Sequence, residues 1–459
     1  MLNWILSKVR PDRGGSAGTR EEAVDANQVR TVRVLPRSEH NISRSQISPN
    51  ALKVLYRLKN AGYQAYLVGG GVRDLLLGRE PKDFDVGTDA SPEQVKEVFR
   101  NCRLIGRRFR LAHVHFGREI IEVATFRAHS TDDEDGRQIE NGRLVRDNVY
   151  GTIEEDAWRR DFTVNALYYD INDFSVVDYT GGVEDLRQGL LRMIGEPGLR
   201  FREDPVRMLR AVRFAVKLGF KIDPASEHVI QELGDLLDGI AAARLFDEVL
   251  KLFLAGYGLQ TFEALRHYDL FRHLFPDTDH CLEEEENQFP ITFVAQALKN
   301  TDERVSLDKP VTPAFLFAAL LWEPLRREMQ VLGELEDVPP VQLVHRAADD
   351  VLRRQVDRVA IPRRFSQVMR EVWTMQPRFE IRSGKRALRL LEHPKFRAGF
   401  DFLLLRAQAG EVEQEVADFW IKMSNGDEQE RSRLTRPAGA STRRRRPRRR
   451  RKPRTPAEE

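Results

Sequence analysis

The chain has 459 residues, too long for one ordinary hydrophobic core, so two or three domains are expected. Its longest wholly apolar run, Ala314–Trp322, cannot span a bilayer, "MLNWILSKVR" does not read as a signal peptide, and two cysteines, Cys102 and Cys281, exclude a disulfide framework or cysteine-rich zinc site; a reducing cytoplasm fits. The net charge of +3 hides a division: residues 431–459 hold 13 basic residues against Glu458 and Glu459, or +11, which leaves −8 on residues 1–430.

In chain order, residues 11–47 are polar and aperiodic, and 1–47 read as a flexible leader. Ser48-Pro49 supplies an N-cap and a first-turn proline, Leu52, Leu55 and Leu58 recur at helical spacing, and Gly62 stands at the C-cap. That helix feeds a strand at Tyr66–Val68, a glycine turn and a helix over Val72–Leu77, then a strand at Asp83–Val86. Ser91-Pro92 opens a helix with Val95, Val98 and Phe99 as its stripe. "LAHVHFG" and "EIIEVATF" read as strands, and residues 130–149 as a surface loop. Thr152 and Glu155 form a capping box, and "ALYYDINDFSVVDY" a hairpin turning at Asn172-Asp173. Mixed α/β structure therefore occupies 48–195.

Beyond Glu196 the pattern changes. "EDPVRMLRAVRFAVKLG" places Asp204 as cap, Pro205 in the first turn and Gly219 past the end. Helical patterns then continue almost to Lys422 without a convincing strand, dividing into a neck over 196–270 and a body over 271–423. Residues 424–459 are polar and finally almost pure Arg, which predicts disorder.

The chemistry concentrates in "YLVGGGVRDLLLGREPKDFDVGT", Tyr66–Thr88. Residues two apart on a strand share a face, so Asp83 and Asp85 stand together with Phe84 toward the core. Adjacent carboxylates repel unless a cation lies between them, and oxygen ligands of this kind suit Mg²⁺. Gly69, Gly70 and Gly71 run from a strand into a helix, where backbone N–H groups approach an anion, and Arg73 adds a cation. A phosphate cradle beside a two-carboxylate site is the layout for metal-assisted nucleotidyl transfer.

"LVGGGVRDLLLG…DFDV" resembles motif A of the class II nucleotidyltransferases, the bacterial poly(A) polymerases and CCA-adding tRNA nucleotidyltransferases, distant relatives of DNA polymerase beta. "RRDFTVNALYYD" (159–170), "EDPVRMLRAVRFAVKLGF" (203–220) and "AARLFDEVLKLF" (242–253) resemble their later motifs in order and spacing. The resemblance implies an α+β protein: a polymerase-beta-like head with a small mixed sheet, followed by an all-α neck, body and tail. It implies two Mg²⁺ ions on Asp83 and Asp85, with ATP as substrate. The third acid is left between Glu122, on a strand expected beside the Asp83 strand, and Asp161. Gly70, Gly71, Arg73, Arg160 and Arg210 are expected around the phosphates, and Asn165 at a sugar or backbone. Arg213 is expected either at phosphate or in solvent.

Asp204 and Arg207, three apart, are expected on one helix face as the base reader. A carboxylate accepts from an exocyclic amine and a guanidinium donates to a ring nitrogen, which selects adenine or cytosine over guanine or uracil. Two features favour adding A's over adding CCA. "LIGRRFRLAHV" (104–114), with Arg107, Arg108 and Arg110, resembles a segment of the poly(A) polymerases, and "RRRRPRRRRKPR" (443–454) resembles their Arg-rich end and suits RNA phosphates. The expected activity is template-independent polyadenylation of RNA 3′ ends from ATP, with pyrophosphate released and RNA-decay machinery as a candidate partner. The rivals are tRNA CCA addition and a non-catalytic RNA-binding protein.

Overall fold

The computed structural model describes residues 32–106, 110–128, 137–140, 143–147, 149–283, 285–286, 289–290, 292–335 and 337–436. Its centre is an eight-stranded sheet. The strands are β1 (Arg33–Leu35), β2 (Ala65–Val68), β3 (Asp85–Thr88), β4 (Cys102–Ile105), β5 (Leu111–Phe116), β6 (Glu119–Thr125), β9 (Leu167–Asp170) and β10 (Val176–Asp178). Between β6 and β9, β7 (Arg137–Glu140) and β8 (Arg143–Asp147) form a separate antiparallel pair. The order is β1-β10-β9-β2-β3-β6-β5-β4, with only β3 and β6 parallel.

The helices of this region are α1 (Pro49–Asn60), α2 (Gly70–Leu76), α3 (Pro92–Val98), α4 (Ile153–Arg159) and α5 (Gly182–Gln188). The expected start signals operate. Ser48 Oγ accepts from Asn50 N–H at the head of α1, and Ser91 with Gln94, like Thr152 with Glu155, forms a complete capping box. Alternation along the strands divides the sheet. Leu67, Val86, Ala112 and Val123 pack with Val54, Leu55 and Leu58 of α1 in the main core. Val68 and Tyr168 pack with Phe126 and Ala157 in a smaller cluster on the other face. Asp85 and Glu122, each one residue before an inward valine, belong to that second face.

Then come α6 (Pro197–Glu203), α7 (Val206–Leu218), α8 (Pro224–Leu233), α9 (Ala242–Phe253), α10 (Gly258–His267), α11 (Phe271–Leu274) and α12 (Pro276–Leu282). The remainder holds α13 (Phe293–Ser306), α14 (Pro313–Leu320), α15 (Trp322–Leu335), α16 (Pro340–Arg358), α17 (Arg363–Phe379), α18 (Gly384–Leu391), α19 (Phe396–Gln408), α20 (Gln414–Asn425) and α21 (Glu428–Leu434). The main apolar cluster continues from Leu35 through to Leu405, and a second cluster joins Met375, Phe379, Leu390, Phe400 and Trp420.

Four expectations are corrected. Residues 33–35 are not leader but an edge strand, because Arg33, Val34 and Leu35 pair with Asp178, Val177 and Val176 and Leu35 is buried. Residues 137–147 include the β7–β8 pair rather than loop alone. Short strands do occur beyond Glu196: Lys221–Ile222 pairs in parallel with Leu190–Leu191. Residues 424–434 are largely helical, since Asp427 caps α21 and the Arg431 guanidinium donates to the Met423 and Ser424 carbonyls. The expectations on residues 1–31, Arg107, Arg108 and 437–459 lie outside the described residues.

Candidate active site

The glycine turn is shaped for close approach. Gly69 adopts φ 69°, ψ −132°, a conformation L side chains rarely take, and a Cβ there would lie 3.2 Å from Arg160 Nη1. A Cβ on Gly71 would lie 3.5 Å from the Asp83 carbonyl oxygen, so the turn is seated against the acidic segment. Gly70 begins α2 and is partly exposed.

Asp83 lies exposed just before β3, Phe84 is turned inward as expected, and Asp85 is the first residue of the strand. The parallel pairing of β3 with β6 sets Asp85 opposite Glu122, and β5 sets His113 on the other side of Glu122. His113 Nε2 is 3.4 Å from Glu122 Oε2. Burial first, and then the Glu122 charge, push the Asp85 carboxyl up to about 6; Asp83 adds to the shift, while Arg160 and His113 oppose it. Asp85 and Glu122 thus stand side by side on one sheet face, with Asp83 near enough for its charge to act on Asp85.

A second set of contacts backs the glycine turn. Arg73 is buried, bonded through Nη1 to Asn165 Oδ1 and through Nε and Nη2 to Asp74. Asn165 Nδ2 donates to Asp161 Oδ1, and Asp161 Oδ2 accepts from Arg210 Nε at 2.9 Å. Burial alone would raise the Asp161 carboxyl, but Arg210 and the Phe162 N–H hold it below the usual range. Arg160 is held by Asp156 at 3.0 Å and by the Tyr168 hydroxyl at 3.0 Å; burial opposes its charge, and these partners nonetheless raise its pKa. Arg213 is half-buried rather than solvated, 4.4 Å from the Phe214 ring centre, and its Nε has no hydrogen-bond partner.

Asp204 and Arg207 depart from expectation, because they do not share a helix face. Asp204 ends α6, and Pro205 disfavours helical geometry in the residue before it, so α7 starts only at Val206. Asp204 Oδ2 pairs with Arg244 Nη2 of α9 at 2.6 Å, and Arg207 Nη1 pairs with Glu203 Oε2 at 2.7 Å. Arg200 also pairs with Glu203, at 2.7 Å, and donates to the Arg159 and Arg160 carbonyls. This links the group to the Asp161 segment. Arg110 is exposed and pairs with Glu93.

Family models match three stretches: "Poly A polymerase head domain" over 65–192, "Probable RNA and SrmB- binding site of polymerase A" over 219–282 and "Polymerase A arginine-rich C-terminus" over 336–454. Poly(A) polymerase I of Salmonella typhi is 53% identical over 395 residues, 85% of each chain. The chain belongs to the poly(A) polymerase I family. A CCA-adding enzyme of Lactobacillus helveticus is 40% identical, but only over 213 residues, 46% of this chain and 52% of that one. Among solved structures, a tRNA-processing enzyme complex superposes with a TM-score of 0.55 at 22% identity, covering 81% of this chain and 91% of the other, and supports the fold.

Within this poly(A) polymerase I relative, the residues that sequence reasoning missed are partners. Asp156 and Tyr168 orient Arg160, Glu203 holds Arg207, and Arg244 holds Asp204. Asp156 and Tyr168 stood inside a recognised stretch or beside it, but only the fold brings α4 over β9. Among the described residues no three His, Cys, Asp or Glu side chains converge into a ready-made metal cage. The donor set nevertheless fits Mg²⁺, which takes one or two carboxylates and completes its shell with phosphates and water. Burial first and the Glu122 charge second raise the Asp85 carboxyl, and a cation held there would favour its ionised form.

Proposed function

We propose that the chain adds AMP from ATP to RNA 3′ ends without a template and releases pyrophosphate. Similarity to poly(A) polymerase I over 85% of both chains carries this reading, against 46% of this chain for the CCA-adding relative. The chain is thus a polynucleotide adenylyltransferase. In the reading, residues 48–195 extended by β1 form the catalytic head, 196–270 the neck, 271–423 the RNA-binding body and 424–459 a basic extension.

Asp83 and Asp85 would hold Mg²⁺ together with substrate phosphates. When bound, the metal supplies Lewis-acid activation of the RNA 3′-hydroxyl and neutralises charge on the leaving pyrophosphate. Glu122 is the better third acid, because it stands in register with Asp85 and is partly exposed, whereas Asp161 is already paired with Arg210. Asp161 would then be a positioning residue for Arg210 and Asn165. The backbone N–H groups of Gly70 and Gly71 and the guanidinium groups of Arg160 and Arg210 would receive the triphosphate, with Arg73 fixing Asn165 from behind. Asp204 and Arg207 would read adenine after trading their present partners for the base.

Two free, buried cysteines fit a reducing cytoplasm. RNA-decay machinery is the protein partner we propose. The test is incubation with a generic RNA, Mg²⁺ and each nucleoside triphosphate separately. A long ladder with ATP alone is expected; one or two additions confined to tRNA ends and requiring CTP would overturn the reading in favour of CCA addition.

A further inference from the structure

Residues 378–397 contain seven Lys or Arg residues against Glu380 and Glu392, a net +5 in a region of the chain whose total is negative. The helix α18 organises them. Its Ala387 and Leu390 are buried in the second apolar cluster, with Leu388 and Leu391 packed against it. Arg389, four residues after Lys385 and three after Arg386, shares with them the opposite, exposed face. Arg382 precedes that face and Lys395 follows it, both exposed. These five cations make no ion pair with a described residue. Unpaired, like-charged side chains held together by a folded helix raise the local potential and favour a polyanion.

Two further observations place the surface. The N–H of Gly384, at the start of α18, donates to the Thr435 carbonyl at 2.8 Å, so α18 adjoins the point from which the chain continues toward residues 443–454. At the other end, Lys395 and Arg397 border a cleft of about 570 Å³ that Arg304 and Lys309 also line. The cations thus run from the end of α21, past α18, to that cleft.

We propose that the exposed face of α18, with Lys385, Arg386 and Arg389 at its centre, is a folded docking surface for the phosphates of single-stranded RNA, outside the catalytic head. The proposal rests on the polyadenylation reading for its choice of RNA, since a growing A-tail is the polyanion this chain would handle. Lys and Arg side chains contacting phosphates carry no sequence information, so binding there is expected to be sequence-tolerant. An acidic protein is the competing occupant.

The experiment compares the full chain with its Lys385→Ala/Arg386→Ala/Arg389→Ala variant, using a labelled oligo(A) and measuring affinity against salt. Each lost phosphate contact lowers the slope of log affinity against log salt by about 0.7 for a single strand, so three contacts predict a fall of about 2. Arg386→Lys/Arg389→Lys should keep the slope, because the surface acts through charge, and it serves as the check that α18 still folds. An unchanged slope in the alanine variant overturns the proposal. So does an unchanged slope accompanied by loss of binding to a poly-glutamate peptide, which assigns the face to an acidic protein. ATP incorporation on a short primer is measured in parallel in the unsubstituted chain. Its absence there would defeat the polyadenylation reading, while the salt slopes would still report on the surface.

Discussion

Asp85 carries the clearest electrostatic signature. Its carboxyl is raised from 3.8 to about 6, so between these values the folded chain binds a proton that the unfolded chain releases. Its ionisation therefore costs stability, starting above about pH 4 and in full above about pH 6. Asp85→Asn should stabilise the metal-free protein at pH 8 by up to about 3 kcal/mol, and by little at pH 4, while reducing nucleotidyl transfer by more than about a thousandfold. Denaturant melts without divalent cations at both pH values, with one activity assay, would check this; equal effects at both pH values would remove Asp85 from the acidic cluster. Arg207→Ala should reduce discrimination of ATP against GTP by about 1–3 kcal/mol, the scale of one bidentate base contact, read as the ratio of kcat/KM values. Arg244→Ala should disturb the same ratio by freeing Asp204, whereas an unaffected ratio in both would leave the quartet of Asp204, Arg207, Glu203 and Arg244 a structural clasp. The inward turn of Phe84 and the strand at Asp85 were legible because alternation is local, although β3 begins only at Asp85 and leaves Asp83 just outside it. The partners of Asp204 and Arg207 were not, because Pro205 breaks the helix on which their three-residue spacing would have paired them.

At the scale of elements, the β2–α2 turn depends on one residue's backbone. Gly69→Ala must force a side chain into φ 69°, ψ −132° and set its Cβ 3.2 Å from Arg160 Nη1. A cost of about 1–3 kcal/mol in stability is expected, with a raised KM for ATP as Arg160 is displaced. Denaturant midpoints and initial rates measure the two effects; unchanged values in both would mean that the turn re-forms without the positive φ. Caps and strands written in neighbouring residues were readable throughout the head: Ser48, Ser91 and Thr152 cap the helices expected of them, and β9 and β10 make the expected hairpin. The edge strand β1 was not readable, since three residues carry no periodicity and their pairing partner lies at 176–178. Nor was α21, whose face has no fully buried residue and whose helix rests on the Asp427 cap and Arg431 bonds.

For the whole molecule, charge is unevenly placed: +11 on residues 431–459 and −8 on the rest. Ending the chain at residue 436 should leave ATP binding and the chemical step intact. It should weaken RNA affinity at physiological salt, flatten its salt dependence and shorten the tails made in one encounter. Equal salt slopes for the two lengths would show that the Arg run does not touch RNA. The apolar cluster running from Leu35 to Leu405 has a separate consequence. The eight-stranded sheet and the helices to α19 share one contiguous apolar cluster, so the sheet region cut away alone is expected to lose stability. Scanning calorimetry should find sheet and helices melting in one transition. The Met375–Met423 cluster packs apart from the main one and is expected to loosen first, so the end of the protein that meets the basic extension can breathe while Asp85 and Glu122 stay in register.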